Sequence, residues 1–254
     1  MLRRRLIVCL DVKGSRVVKG TRFVDLRDVG DPVELAARYE AAGADEITFL
    51  DISASHEERS TLLDVARRTA ERLFIPLTIG GGIREIGDVG RALRAGADKV
   101  SINSAGVRDP EIFSRGAALY GAQCIVASID ARARDGGGWE VFVKGGREAT
   151  GLDAVAWARE CVDRGAGEVL LTSIDRDGAR TGYDLALTQA VAAAVPVPVI
   201  ASGGAGRAAD VPVVLTETGA DAALVAGILH DGLTTVGEIK GAMERAGIPT
   251  RRAA

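Results

Sequence analysis

Cysteine and histidine are scarce in this chain of 254 residues, with three of the first and two of the second. Cys9, Cys124 and Cys161 are an odd number at wide spacing, two in apolar strand-like runs and one in a helix-like run. That pattern predicts buried free thiols rather than disulfides or a metal knot. His56 and His230 share no ligand spacing with them, so zinc of the usual kinds is not expected, nor any other cofactor. Neither sign of charge is in excess: the net charge is −3, which gives no footprint for nucleic acid or a membrane surface. No apolar run approaches the roughly 20 residues of a membrane span. The opening MLRRRLIVCL has the basic start and short apolar run of a signal peptide, but Asp11 and Lys13 cut the run short and no small-residue cleavage site follows. A soluble, cytoplasmic protein is expected.

What the chain does have is 47% hydrophobic residues, enough for one large core, and α/β barrels commonly reach this length as one domain. Strands buried on both faces read as short continuous apolar runs, with helices between them at a 3.6-residue period. Eight such runs occur, at 5–12, 46–52, 76–82, 98–103, 123–130, 168–175, 197–204 and 221–227. Each is followed by a helical candidate. The first candidate has Asp31 as N-cap, Pro32 at its first position, Glu34 three residues past the cap and Gly43 beyond its end. A repeated GAD or GAG before strands supplies a glycine stop and a tight connection. Eight alternating units predict a single α/β domain over 1–254, a (β/α)8 TIM barrel. A doubly wound open sheet would carry a glycine-rich dinucleotide turn after its first strand, and DVKGSR is not one.

A second regularity lies over the first. Asp11 and Asp130, Gly81-Gly82 and Gly203-Gly204, GADKVSINS and GADAALVAG, and Asp51 and Asp175 all recur about 120 residues apart. Two duplicated half-barrels, about 1–120 and 121–250, account for this. Two connections look long, 13–30 as a loop and 131–150 as a small hairpin, and both follow an aspartate; long loops in compact domains are often lids.

The stretch LIVCLDVKG (6–14) places Asp11 at the end of an apolar strand, and polar residues end nearly every other strand too. They are Lys13, Asp51, Ser53, Thr78, Ser101, Asn103, Ser104, Asp130, Thr172, Asp175, Asp177 and Ser202. The C-terminal ends of barrel strands are where active sites form. Asp11 and Asp130 come from opposite sides of the barrel, so a substrate between them could meet one proton acceptor and one donor. Two structural acids paired to Lys or Arg, or a divalent-metal site, are the competing readings. GGGIR (80–84) and SGGAGR (202–207) are glycine turns entering helices, a form suited to phosphate. Two of them in equivalent places suggest a ligand with a phosphate at each end.

These stretches resemble the cyclase subunit of imidazole glycerol phosphate synthase, from histidine biosynthesis. The resemblance runs from residue 1 to about 248 and is carried by CLDVKGSRVVKG (9–20), FLDISAS (49–55), IGGGIR (79–84), GADKVSINS (96–104), LLTSIDRDGARTGYD (170–184) and ASGGAG (201–206). It implies a lyase reaction in which ammonia and a phosphoribulosyl-formimino aminoimidazole carboxamide ribotide give imidazole glycerol phosphate and aminoimidazole carboxamide ribotide. It further implies Asp11 and Asp130 as the acid/base pair, with Lys19 closing over the substrate. One phosphate would sit at Gly82, Asn103 and Ser104, the other at Asp177, Gly178, Gly204 and Gly227, with Asp51, Thr172 and Ser202 lining the middle.

At the opposite mouth the resemblance implies an ammonia gate of Arg5, Glu46, Lys99 and Glu168; the residues alone read as charges solvated at the barrel base. This chain has Gly14-Ser15 where many relatives have Asp-Gly, Ser104 where some have Thr, and Gly227 where some have Ser. The sister isomerase of the same pathway also uses two aspartates, but the charge ring and TSIDRDGARTGYD favour the cyclase. A non-catalytic sugar-phosphate-binding barrel is disfavoured by the paired acids. No cysteine sits in a glutaminase-like elbow, so ammonia is expected from a separate glutaminase subunit, bound across the N-terminal face to form a heterodimer.

Overall fold

The computed structural model describes residues 3–21, 24–52 and 56–251; Ser53 and the side chain of His56 lie outside the described residues. The first apolar run forms β1 (Arg5–Lys13), which turns back through β2 (Arg16–Thr21) and β3 (Val24–Gly30) before α1 (Pro32–Ala41). Then come β4 (Glu46–Asp51), α2 (His56–Ala70), β5 (Leu77–Gly80), α3 (Ile86–Arg94), β6 (Lys99–Ile102), α4 (Ser104–Arg108) and α5 (Glu111–Tyr120). The second part repeats the plan with β7 (Ile125–Ala133), β8 (Trp139–Val143), β9 (Glu148–Asp153), α6 (Ala154–Asp163) and β10 (Glu168–Ser173). It ends with α7 (Leu185–Ala192), β11 (Val199–Ser202), α8 (Asp210–Glu217), β12 (Ala222–Val225), α9 (Gly227–His230) and α10 (Val236–Arg245).

Parallel pairing runs β1, β4, β5, β6, β7, β10, β11, β12 and back to β1, so the eight expected strands close into the (β/α)8 barrel. Their side chains divide by the period of two. On β1, Leu6, Val8, Leu10 and Val12 pack outward in the layer shared with the helices. Ile7 and Cys9 point the other way and meet Val126, Leu170, Ile200, Ala222 and Leu224 in a smaller interior cluster.

The strands stop where their glycines turn. The runs at 76–82 and 197–204 shorten to β5 and β11 because Gly81, Gly82, Gly203 and Gly204 all have positive φ. The fifth run shifts: 122–124 form a 3₁₀ turn, the strand extends to Ala133, and Cys124 is half-buried rather than in the core. Segment 13–30, expected as a loop, is instead an antiparallel hairpin. Lys13 faces Arg16 across the tight Gly14-Ser15 turn, with Gly14 at φ 59°. The hairpin expected within 131–150 is present as β8 and β9 laid against β7.

The helix after each hairpin starts in the same way. Asp31 accepts from the amides of Val33 and Glu34 at 2.9 and 3.2 Å, and Asp153 from those of Val155 and Ala156 at 3.0 and 2.9 Å. The GAD aspartates tie strand starts together. Asp45 accepts from Leu6 N (2.8 Å), Asp98 from Leu77 N (2.8 Å) and Asp221 from Val199 N (3.3 Å). Where the motif reads GAG, a side chain at Gly167 would place its Cβ 2.3 Å from Ala122 O, so no aspartate fits.

Asp45 also binds the ammonium of buried Lys240 on α10 at 2.7 Å. Asp45→Ala would strand that charge with only the Arg251 carbonyl (2.6 Å), and urea unfolding should show a loss of about 3–5 kcal/mol, as for a buried pair broken on one side.

Candidate active site

Alternation puts Arg5, Ile7, Cys9 and Asp11 of β1 on one line along the barrel axis, from its N-terminal base to its C-terminal mouth. At the base, Arg5 pairs with Glu46 (3.0 Å) and with Glu168. Lys99 closes the circle on Glu46 (2.9 Å) and Glu168 (2.8 Å). Two cations thus alternate with two carboxylates. Glu46 is 1% exposed and Glu168 5%, so these are not solvated strand starts but buried, mutually neutralised charges. Thr78 completes Glu46's bonding by donating to it at 2.6 Å. This corrects its placement at the mouth: Thr78 is the second residue of a four-residue strand and belongs to the base.

Above the apolar cluster that includes Ile7 and Leu224 stand three acids. Asp11 has its carboxyl pushed up to about 6, by burial first and then by the charge of Asp177, while the Cys9 thiol donating at 3.7 Å pulls it back. Asp130 is likewise raised to about 6 by burial, opposed by the amide of Asn103 donating at 2.9 Å and supported by Asp177. Asp177 is itself raised by burial, and its carboxylate accepts from Gly178 N–H. Among the described residues neither Asp11 nor Asp130 is ion-paired to Lys or Arg, as structural acids would be, and no group of three His, Cys, Asp or Glu side chains is arranged to hold a metal.

The two sides of the mouth differ. Asp130, Thr172 and Ser202 are lateral partners on three adjacent strands, a row of one acid and two hydroxyls. The corresponding row is Asp11, Leu50, Gly80 and Ser101. Asp51 does not join either: it falls on the side of β4 that carries Ile47 and Phe49, toward the helices. Asp175 does not mirror it, being largely exposed and accepting from Ala133 N at 2.9 Å, which braces the β7 hairpin. Lys13 is exposed at the end of β1.

The glycine turns are built alike. A Cβ on Gly81 would lie 2.2 Å from Asp51 O, and one on Gly203 2.7 Å from Ser173 O; in each part the turn presses on the end of the preceding barrel strand, where only glycine fits. Asn103 and Ala226, each just before a short helix, share an unusual backbone (φ −116°, ψ −95° and φ −138°, ψ −84°). Each site is also covered in the same way. The turn of the β8–β9 hairpin donates Lys144 N to Ser104 Oγ at 3.1 Å, and the β2–β3 hairpin brings Lys19 Nζ to Gly227 O at 3.1 Å. Gly204 supports its turn through Gly182 N, which donates to its carbonyl at 2.9 Å.

Asn103 adds a polar atom that the fold leaves open. With its amide nitrogen on Asp130, its Oδ1 is buried and has no partner among the described residues. Sequence reading missed the donation from Thr78 and the effect of Asp177 on both other acids. Alternation from Glu46 and Lys99 into the short third run would have found the first; the second depends on how the loop after β10 folds.

Fold and site define an enzyme of the (β/α)8 class, with buried acids at the C-terminal mouth between two glycine turns. Residues 5–235 match the family described as Histidine biosynthesis protein. The chain is 72% identical over 251 residues to the imidazole glycerol phosphate synthase subunit HisF of Myxococcus xanthus, covering 99% of both chains. It is 58% identical to the HisF subunits of Trichormus variabilis, over 99% of both, and of Synechocystis, over 100% of this chain and 98% of that one. The chain belongs to the histidine biosynthesis protein family.

An acid whose folded pKa exceeds its unfolded value makes the folded state the tighter proton binder, so stability falls as pH rises between about 4 and 6. Asp11→Asn and Asp130→Asn should therefore each stabilise the protein at pH 8, by about 1–2 kcal/mol after allowing for solvent at the mouth. In denaturant titrations the gain should vanish below about pH 4.

Proposed function

We propose that this chain is the cyclase of a two-subunit synthase. It takes ammonia from a separate glutaminase subunit and converts the phosphoribulosyl-formimino aminoimidazole carboxamide ribotide into imidazole glycerol phosphate and aminoimidazole carboxamide ribotide, in the cytoplasm. The observation that carries this reading is the order of chemistry along one axis: a closed charge ring at the base, an apolar neck, then two acids at the mouth with carboxyls near 6 and no cation paired to them among the described residues. The names of the relatives support the same assignment.

In this reading Asp11 and Asp130 share the proton transfers. A carboxyl raised to about 6 by burial holds a proton more firmly than an exposed one and still ionises near neutral pH, which suits it to either role. Asn103 orients Asp130 and offers its open Oδ1 to the substrate. One phosphate lies at Gly82, Asn103 and Ser104, under the β8–β9 turn. The other lies at Gly178, Gly204 and Gly227, under Lys19. Asp177 contributes charge to the acid group rather than a phosphate contact, since its carboxylate would repel the anion. Thr172 and Ser202 offer hydroxyls to the middle of the ligand. Arg5, Glu46, Lys99 and Glu168 gate the base, against which the glutaminase docks; a neutral molecule passes such a ring more readily than a hydrated ion. Residues 1–120 and 121–250 are two copies of one ancestral half-barrel.

With saturating ammonium salt, Asp11→Asn and Asp130→Asn should each lower turnover of the bisphosphorylated substrate by about 10²–10⁴-fold; losses of only a few-fold would refute the acid/base pair. The purified chain alone should release no glutamate from glutamine. Cys9 and Cys161 are buried with thiols pushed well up by desolvation, so neither offers a thiolate, and His230 is held by Tyr39 Oη and Cys9 O rather than by the half-buried Cys124. Glutamate release without a partner would show that the chain carries its own glutaminase.

A further inference from the structure

Asp231, which ends α9, gathers three cations from three places. Lys19 comes from β2, Arg27 from β3, and Arg180 from the connection between β10 and α7; all three pair with its carboxylate. Asp231 is 17% exposed at its side chain, while Arg27 and Arg180 are 60% and 47% exposed. The carboxylate is thus the covered centre of the group and the guanidiniums its open rim. Lys19's hydrogen bond, with the charges of Arg27 and Arg180, holds the Asp231 carboxyl below its ordinary range.

The base on which Asp231 stands is fixed. His230, one residue earlier, lies between Tyr39 Oη at 2.8 Å and Cys9 O at 3.0 Å. Burial lowers its pKa, so a neutral ring accepts from the tyrosine and donates to the β1 backbone. Asp231 N donates to Gly227 O at 3.0 Å. The same carbonyl receives Lys19 Nζ, so the carboxylate and the glycine jointly define where that ammonium sits.

We propose that Asp231 is a positioning residue. It anchors the β2–β3 hairpin so that Lys19 stands at Gly227 before substrate arrives, and it leaves the surplus positive charge of the group for a phosphate dianion. Asp231 itself touches no substrate. Three cations around one carboxylate leave two charges uncompensated, and a phosphate dianion carries the matching charge. The assignment of Gly227 to a substrate phosphate rests on the function proposed above.

The test uses Asp231→Asn, Asp231→Glu and the exposed Arg27→Ala in the full chain. With saturating ammonium salt, Asp231→Asn should raise KM for the bisphosphorylated substrate about tenfold, the equivalent of one lost shielded pair. Its kcat should be nearly unchanged. Asp231→Glu should recover most of the loss, and Arg27→Ala should shift KM in the same direction by less. Without any ligand, trypsin should cut between residues 19 and 27 of Asp231→Asn about tenfold faster than in the parent, because a hairpin with its anchor removed opens more often. That second readout is independent of turnover, so a parent chain inactive with ammonium would refute the proposed function while the anchoring is still measured. Unchanged KM and unchanged cleavage would overturn the proposal. So would a lower KM, which would make Asp231 a competitor of the phosphate, or a loss confined to kcat, which would mark a purely structural role.

Discussion

Closing eight parallel strands on themselves leaves each strand only two directions for its side chains, outward into a helix layer or inward onto one axis. The charge ring, the apolar neck and the Asp11/Asp130 pair follow from the inward half of that division. Arg5, Ile7, Cys9 and Asp11 are four successive inward positions of a single strand, so charge, apolar neck and acid are stacked by the pleat itself. The ring at the base is affordable because Glu46 and Glu168 each meet two cations. Among the described residues the acids at the mouth meet no such cation, and burial raises their carboxyls.

The fold was legible because its signals are local and repeated. Apolar runs, the Asp31 cap and the GAD stops each specify their own few residues. The charge ring and the Asp11/Asp130 pair could be read because a closed barrel turns strand number and alternation directly into position. Where the reading failed, the deciding contact lay elsewhere in the chain. Thr78 was placed at the wrong mouth because five apolar and glycine residues around it look like one strand, whereas positive φ at Gly81 ends it early. Asp51 looked like Asp175 in sequence, yet one is buried against the helices and the other braces a hairpin. Asp177 was placed at a phosphate by the family resemblance. Its effect on Asp11 and Asp130 depends on a loop path that no local pattern encodes.

The two hairpins lie in matching places on the barrel. Each springs from the strand that carries a central acid, β1 or β7, and each leans back over the helix that follows the preceding barrel strand. For β7 that helix is α4, reached by Lys144 N; for β1 it is α9, reached by Lys19. The chemistry of the two covers differs. One offers a backbone amide to a serine hydroxyl, the other an ammonium to a glycine carbonyl, so two similar turns are furnished with different polar groups.

That backward lean also decides what the halves are to each other. The hairpin of residues 1–120 covers the turn in residues 121–250, and the hairpin of residues 121–250 covers the turn in residues 1–120. A half-barrel by itself would hold a bare turn and a cover with nothing beneath it. In one chain each cover is held against the opposite part, so neither can change without being tested against residues on the far side of the barrel.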